Sequence, residues 1–314
     1  MSKISIVVPV YFNSDTLELL YEDMREKILG KLGDYEIVFV DDGSEDNSWE
    51  VMNSIKARDE NVVCVRLSKN FGEHAAILAG LSVCTGDCAV TKQADLQEDS
   101  TLILEMYESW KRGNKVVLAI RESRDEGAIK KFFAGCYYWL VRHTINKDMP
   151  QGGCDCYLVD RQVIKVLELM DEKNSSLTLQ VMWVGFKSEK IYFHRKDREV
   201  GESRWTLRKK IKLVLDSMMS FTAFPIHFIA TVGILFSIFS LIGIILVIKE
   251  KLVEGTPILG YASLMCVLLF GFGLAFIMLA ILGEYIWRTL AESRKRPPFI
   301  IDTVNTNEKK EDGK

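Results

Sequence analysis

The chain has 314 residues, 48% of them hydrophobic and 26% charged, with a formal net charge of −3 and seven cysteines. A balance this close to neutral argues against a protein held to nucleic acid by bulk positive charge, so no nucleic-acid partner is expected. The apolar residues are unevenly spread, which points to a water-soluble domain followed by a membrane part rather than one large core.

Taken in order, Ile4–Val10 reads as a buried strand ended by Pro9-Val-Tyr-Phe-Asn13, and Thr16–Ile28 has helical spacing. The chain enters this strand directly after Met1, so no signal peptide is expected. A strand over Glu36–Val40 runs into Asp41-Asp-Gly-Ser44, followed by a helix over Ser48–Arg58, a strand over Val62–Leu67, a helix over His74–Val83 and a strand over Cys88–Thr91. Leu102–Arg112 is a further helix and Lys115–Ile120 a further strand. Strand and helix in alternation predict a parallel α/β sheet, whose ligands bind beyond the carboxyl ends of the strands. The turns carrying Asp41, Asp42 and Asp95 fall at that edge.

Residues 228–248 and 257–283 contain no Asp, Glu, Lys or Arg. As helices, both are long enough to cross a hydrocarbon layer of about 30 Å. Arg208, Lys209, Lys210 and Lys212 precede the first and Arg288, Arg294, Lys295 and Arg296 follow the second, whereas the connection 249–256 carries two Lys and two Glu. This bias places both flanks in the cytoplasm and the connection outside. Between domain and membrane, Arg204–Phe221 alternates basic with apolar residues at helical spacing and reads as an amphipathic interfacial helix, with a surface helix packed on the domain as the alternative. Pro225 suits the start of the first span. The resulting division is a soluble domain at 1–203, an interfacial segment at 204–225, spans at 226–249 and 257–283 joined by an external loop at 250–256, and a cytoplasmic tail at 284–314 that is polar and disordered after Thr303. The cysteines lie mostly in the domain predicted to be cytoplasmic, which argues against a disulfide framework; Cys154-Asp-Cys156 has no second Cys/His pair, so no structural zinc is expected.

The turn Val90-Thr-Lys-Gln-Ala-Asp-Leu-Gln-Glu98 carries one acid, Asp95, with the amide Gln97 close by, a place to hold a hard cation against a diphosphate. Asp41 and Asp42 suit hydrogen bonds from a nucleobase N–H or a ribose hydroxyl, with Pro9 and Tyr11 shaping the floor under the base. The same Asp-Asp-Gly-Ser also suits a simple turn with a helix cap. Glu98 and Asp99 read as helix N-terminal acids.

Val-Val-Pro-Val-Tyr at 7–11, Val-Asp-Asp-Gly-Ser at 40–44, Ala-Asp-Leu-Gln at 94–97, Gly-Glu-Ser at 201–203 before Arg204-Trp205, and Gly283-Glu-Tyr-Ile-Trp-Arg288 together resemble the GT-A glycosyltransferases of family 2, in the branch that glycosylates polyprenyl phosphates. The resemblance spans residues 4–302. It implies a GT-A domain, Rossmann-like with a mostly parallel sheet, followed by the interfacial helix and two transmembrane helices in a bacterial cytoplasmic membrane. It implies an inverting transferase that moves a sugar from a UDP-sugar, UDP-glucose by default, to undecaprenyl or another polyprenyl phosphate. Pro9, Tyr11, Asp41, Asp42, Gln93, Ala94 and Asp95 would then bind the nucleotide sugar, and Asp95 with Gln97 would hold Mg²⁺ or Mn²⁺. Asp155 matches the residue assigned as catalytic base. A phosphate monoester with a second pKa near ~6 hardly needs deprotonation, so base and orienter both stay open for it. Arg198 matches an arginine near the diphosphate and acceptor, with Ser203 and Arg204 assisting. Arg121, Arg124, Lys130 and Lys131 form a basic stretch suited to acceptor phosphate or lipid headgroups, or equally to a solvated face. Two departures stand out: Gln93 where the family carries an acid, and Cys156-Tyr157 where Phe and Arg are common. A membrane-tethered nucleotide-sugar-binding adaptor without turnover and a processive polysaccharide synthase remain alternatives, and homo-oligomerisation through the spans stays open.

Overall fold

The structure is a computed structural model that describes residues 2–122, 156–170, 176–194, 224–254 and 260–306, with positions 135, 139, 141–143, 147, 149–150, 154, 216, 218–219 and 221–222 between them. The first half alternates strand and helix as expected: β1 (Lys3–Val10), α1 (Ser14–Met24), β2 (Asp34–Asp41), α2 (Ser48–Lys56), β3 (Val62–Leu67), α3 (Glu73–Val83) and β4 (Cys88–Thr91). β1 lies between β2 and β4 and runs parallel to both, with Ile6 opposite Ile37 on one side and Val90 on the other. Every residue of β1 from Ile4 to Val10 is buried, because helices cover both faces of the sheet. Ile4, Ile6 and Val8 pack with Leu17 and Leu20 of α1, whereas Val7 turns to Ala76 and Ala79 of α3. Gly80 lets α3 approach closely, since a Cβ there would lie 2.4 Å from Val7 Cγ1.

The second half departs from simple alternation. α4 (Leu102–Lys111) leads to β5 (Val116–Arg121), but β5 does not neighbour β4. β6 (Cys156–Asp160) inserts between them, antiparallel to both, and β7 (Ser188–Phe193) runs parallel to β5 at the edge. With a last strand from the C-terminal tail, β8 (Ile301–Asn305), the strand order is β7-β5-β6-β4-β1-β2-β3-β8, a mixed sheet with a parallel centre. Cys156–Asp160 is therefore a fully buried strand, and the helix cap belongs to its last residue, Asp160, which accepts the Gln162 N–H at 3.0 Å as α5 (Arg161–Leu169) begins. α6 (Leu177–Trp183) follows before β7.

Two long helices follow β7, α7 (Phe224–Glu254) and α8 (Tyr261–Ser293). Their stretches Pro225–Gly243 and Phe270–Ser293 are long and apolar enough to cross a membrane, and large side chains such as Phe239, Phe272 and Phe276 point outward, exposed. α8 runs on to Ser293, past the boundary expected at 283. Charge ends an apolar run but does not end a helix when it pairs along it: Arg288 bonds Glu284 one turn back at 2.9 Å and also Asp216 at 2.7 Å. Residues 204–215 of the expected interfacial helix lie outside the described residues, while Asp216, Met218, Met219 and Phe221 are helical.

The tail is ordered further than its polarity predicts. β8 (Ile301–Asn305) pairs antiparallel with β3, Val65 opposite Val304, so the disorder expected from Thr303 is corrected as far as Asn305. Its backbone closes an otherwise open sheet edge, and Asn305 Nδ2 donates to Asn53 Oδ1 at 2.6 Å.

Glu36, 4% exposed on β2, accepts from Ser5 Oγ and Thr85 Oγ1, both at 2.6 Å, and pairs with Lys3 Nζ at 2.9 Å. Burial pushes this carboxyl up, but the hydrogen bonds from Ser5, Thr85 and Lys3 win and hold it below its ordinary value of 4.5. A depressed folded pKa gives stability that is full above the unfolded value and lost as pH falls through the folded one. Glu36→Gln should cost roughly 2 kcal/mol at neutral pH. In thermal melts, the gap between variant and wild type should close as pH drops below 4.5.

Candidate active site

The carboxyl ends of β1, β2 and β4 share one edge, because Val10 pairs with Asp41 and Val7 with Thr91 in parallel register. Pro9, Tyr11, Asp41, Asp42, Gln93, Ala94, Asp95 and Gln97 all follow or end these strands, so sequence-predicted residues of the donor half meet there. Asp155, Arg198, Ser203, Arg204, Arg124, Lys130 and Lys131 lie outside the described residues. Arg121 ends β5.

Asp41 and Asp42 have different tasks. Asp42 accepts the backbone N–H groups of Phe71 at 2.7 Å and Gly72 at 2.9 Å, so its carboxylate fixes the loop that enters α3. Asp41, fully buried, accepts the Ser44 N–H through Oδ1 at 2.9 Å. Its Oδ2 lies 3.3 Å from Arg66 Nε, yet accepts no hydrogen bond among the described residues. Among the described residues that buried acceptor is held by the Arg66 ion pair alone. Burial pushes both carboxyls above the ordinary 3.8, against the N–H bonds that pull them down. Gly43 between Asp42 and Ser44 adopts φ +68, and a Cβ there would lie 2.6 Å from the Lys69 carbonyl carbon. Only glycine lets this turn close against the neighbouring loop.

Tyr11 is 38% exposed and stands edge-on to Phe12, their ring centroids 4.7 Å apart. Phe12 has φ 55 and donates its N–H to Ser44 Oγ at 3.0 Å, which ties the β1 turn to the β2 turn.

The turn after β4 is braced from below. Lys92, 2% exposed, donates to the Glu98 carbonyl and lies 3.9 Å from the Glu98 carboxylate, so a buried ion pair staples the two ends of the turn. Glu98 is thus a bracing residue rather than a helix N-terminal acid. Asp99 keeps that role, accepting the Thr101 N–H at 3.0 Å. At the apex Leu96 adopts φ 58, and Asp95 Oδ1 accepts the Gln97 N–H at 3.2 Å. The left-handed residue between them holds Asp95 and Gln97 in a fixed relation. Gln93 Nε2 donates to Glu73 Oε1 at 2.7 Å.

The antiparallel register of β6 brings its start to the end of β4, where the Tyr157 N–H donates to Thr91 Oγ1 at 3.1 Å. Cys154 and Cys156 flank Asp155, and burial pushes both thiols up, Cys154 to about 12, so neither is a nucleophile at neutral pH. Among the described residues no group of three or more His, Cys, Asp or Glu is placed to hold a metal by itself. A single carboxylate with a neighbouring amide fits a cation that takes most of its oxygens from a bound diphosphate. Glu73, Lys92 and Arg66 were not legible from spacing alone, since their partners lie on other elements.

The sequence profile of glycosyl transferase family 2 matches residues 5–154. An uncharacterized glycosyltransferase of Bacillus subtilis, YkcC, is 35% identical over 95% of this chain and 92% of its own length. The chain belongs to glycosyl transferase family 2. The family 2 chain is a glycosyltransferase with the mostly parallel α/β sheet of the GT-A class. A prophage bactoprenol glucosyl transferase homolog of Escherichia coli is 33% identical over 96% of this chain and 99% of its own. The bactoprenol glucosyl transferase of Shigella phage SfV is 32% identical over 95% and 98%. These matches run through both membrane-length helices as well as the catalytic sheet.

Proposed function

We propose that this family 2 glycosyltransferase moves glucose from UDP-glucose to undecaprenyl phosphate or a related polyprenyl phosphate at the cytoplasmic face of a bacterial membrane. The observation that carries this reading is the end-to-end similarity to bactoprenol glucosyl transferases, helices included. The uracil N–H would meet the buried Asp41 Oδ2, with Tyr11 beside the base. The diphosphate would lie over the turn at 93–97, where Asp95 and Gln97 would hold Mg²⁺ or Mn²⁺. Such a cation supplies positive charge against the diphosphate. That charge is needed, because Asp41, Asp42, Glu73 and Asp95 all bring carboxylates to this edge.

A lipid phosphate oxygen attacks the anomeric carbon, the bond from that carbon to the UDP oxygen breaks, and UDP departs with both electrons while the configuration inverts. Arg198 is proposed to bond the departing diphosphate, with Ser203, Arg204, Arg124 and Lys131 around the acceptor phosphate. Asp155 is proposed to orient the acceptor, since that phosphate is already largely ionised. Positioning and charge stabilisation then carry the rate. The pairing of β8 with β3 supports a topology in which the chain enters α7 and leaves α8 on the same side of the membrane. The basic flanks make that side cytoplasmic. Transfer of labelled glucose from UDP-glucose into an extractable lipid tests the reading; no transfer to any lipid phosphate would leave only an adaptor.

A further inference from the structure

Glu73 opens α3, half-buried, at the same edge as Asp41 and Asp95. A carboxylate has no proton to give, so the 2.7 Å contact with Gln93 Nε2 fixes the amide with its NH₂ toward Glu73 and its Oε1 turned away. The pair therefore presents acceptor oxygens beside Ala94 and Asp95. It is held from behind, because Asp42 anchors Phe71 and Gly72, the residues that lead into Glu73. Below α3, Tyr157 packs in the cluster that contains Ala76 and Ile77, 2% exposed, and its Oη has no hydrogen-bond partner among the described residues. Burial pushes this phenol well above its ordinary value. Gln93, a position where the sequence departs from the pattern it resembles, meets Glu73 directly.

We propose that Glu73, oriented by Gln93, determines donor-sugar specificity by accepting hydrogen bonds from the sugar hydroxyls, and that the pair selects a neutral hexose over a sugar acid. This rests on the transfer reading above. A hexose offers several O–H donors to the two acceptors, whereas a uronic acid brings a second carboxylate against Glu73. A plain helix N-terminal acid would not need the amide contact with Gln93.

Calorimetry with UDP and with UDP-glucose, in Mg²⁺, separates the roles. Glu73→Ala should leave the UDP Kd within about 2-fold and weaken UDP-glucose about 10-fold or more. The kcat/KM ratio of UDP-glucuronate to UDP-glucose should rise by about the same factor. Equal weakening of both ligands would mean that Glu73 only shapes the entry to α3, and no change in either would also overturn the proposal. If Glu73→Ala fails to fold, Gln93→Leu makes the same test with the helix start intact. The two readings fail separately: a wild type that binds UDP-glucose more tightly than UDP but transfers nothing sinks the transfer reading alone. Wild-type binding of UDP-glucose no tighter than UDP sinks the Glu73 assignment.

Discussion

Asp95→Ala should lower glucosyl transfer by about 10³-fold or more, with the soluble domain still folded. Asp95 is half-buried at the apex of a turn whose ends are fixed elsewhere, by the Lys92–Glu98 pair below and by the contact of Asp99 with the Thr101 N–H just before α4. Losing its contact with the Gln97 N–H should cost roughly 1 kcal/mol, too little to unfold the sheet. What the substitution removes is the one carboxylate in this turn that a cation bridging to the diphosphate would use. Asp95→Asn separates charge from turn geometry, since its amide oxygen still accepts the Gln97 N–H. It should lose nearly as much turnover as the alanine variant, and both should need far more Mn²⁺ for whatever rate remains. Near-normal turnover in either variant, measured at saturating donor, would remove Asp95 from the proposed metal site.

Asp41→Asn should weaken UDP binding by about 10- to 100-fold without lowering the melting temperature of the free protein. Oδ1 already accepts the Ser44 N–H, so the asparagine must keep its oxygen there and turn its NH₂ to the place of Oδ2. A donor then faces both Arg66 and the incoming base N–H. The stability side follows from the sign of the pKa shift. Burial raises the folded pKa above 3.8, so the stability linked to this proton is present below the unfolded pKa and lost as pH rises through the folded value. At neutral pH the ionised side chain therefore weighs against the ligand-free fold, and neutralising it offsets the poorer contact with Arg66. Titration calorimetry and a melting curve on the same sample read both halves. Unchanged UDP affinity would show that Asp41 serves only its turn.

The central sheet was legible because β1, β2 and β4 are buried on both faces and read as unbroken apolar runs. Their carboxyl ends located the donor half of the site for the same reason. β7 and β8 escaped, since edge strands keep one face in water: Ser188–Phe193 alternates exposed with half-buried residues and Ile301–Asn305 is mostly exposed. β6 escaped because its five residues, Cys156–Asp160, are too short a run, ended by an acid, to stand out as a strand although all of them are buried. Within the site, spacing exposed Asp41, Asp42 and Asp95 but not their division of labour. Asp42 is occupied by backbone groups 29 and 30 residues away, and Gln93 by an acid 20 residues away. Such pairings are set by the crossover of α3, which no local pattern encodes.

The most direct measurement is mass spectrometry of lipids extracted after the purified full chain, in vesicles containing undecaprenyl phosphate, is incubated with UDP-glucose and Mg²⁺ or Mn²⁺. The expected result is a new lipid equal in mass to undecaprenyl phosphate plus one hexose residue, formed with stoichiometric UDP and absent in EDTA. UDP-glucose binding with no new lipid, from this donor or from other UDP-hexoses, would contradict the account.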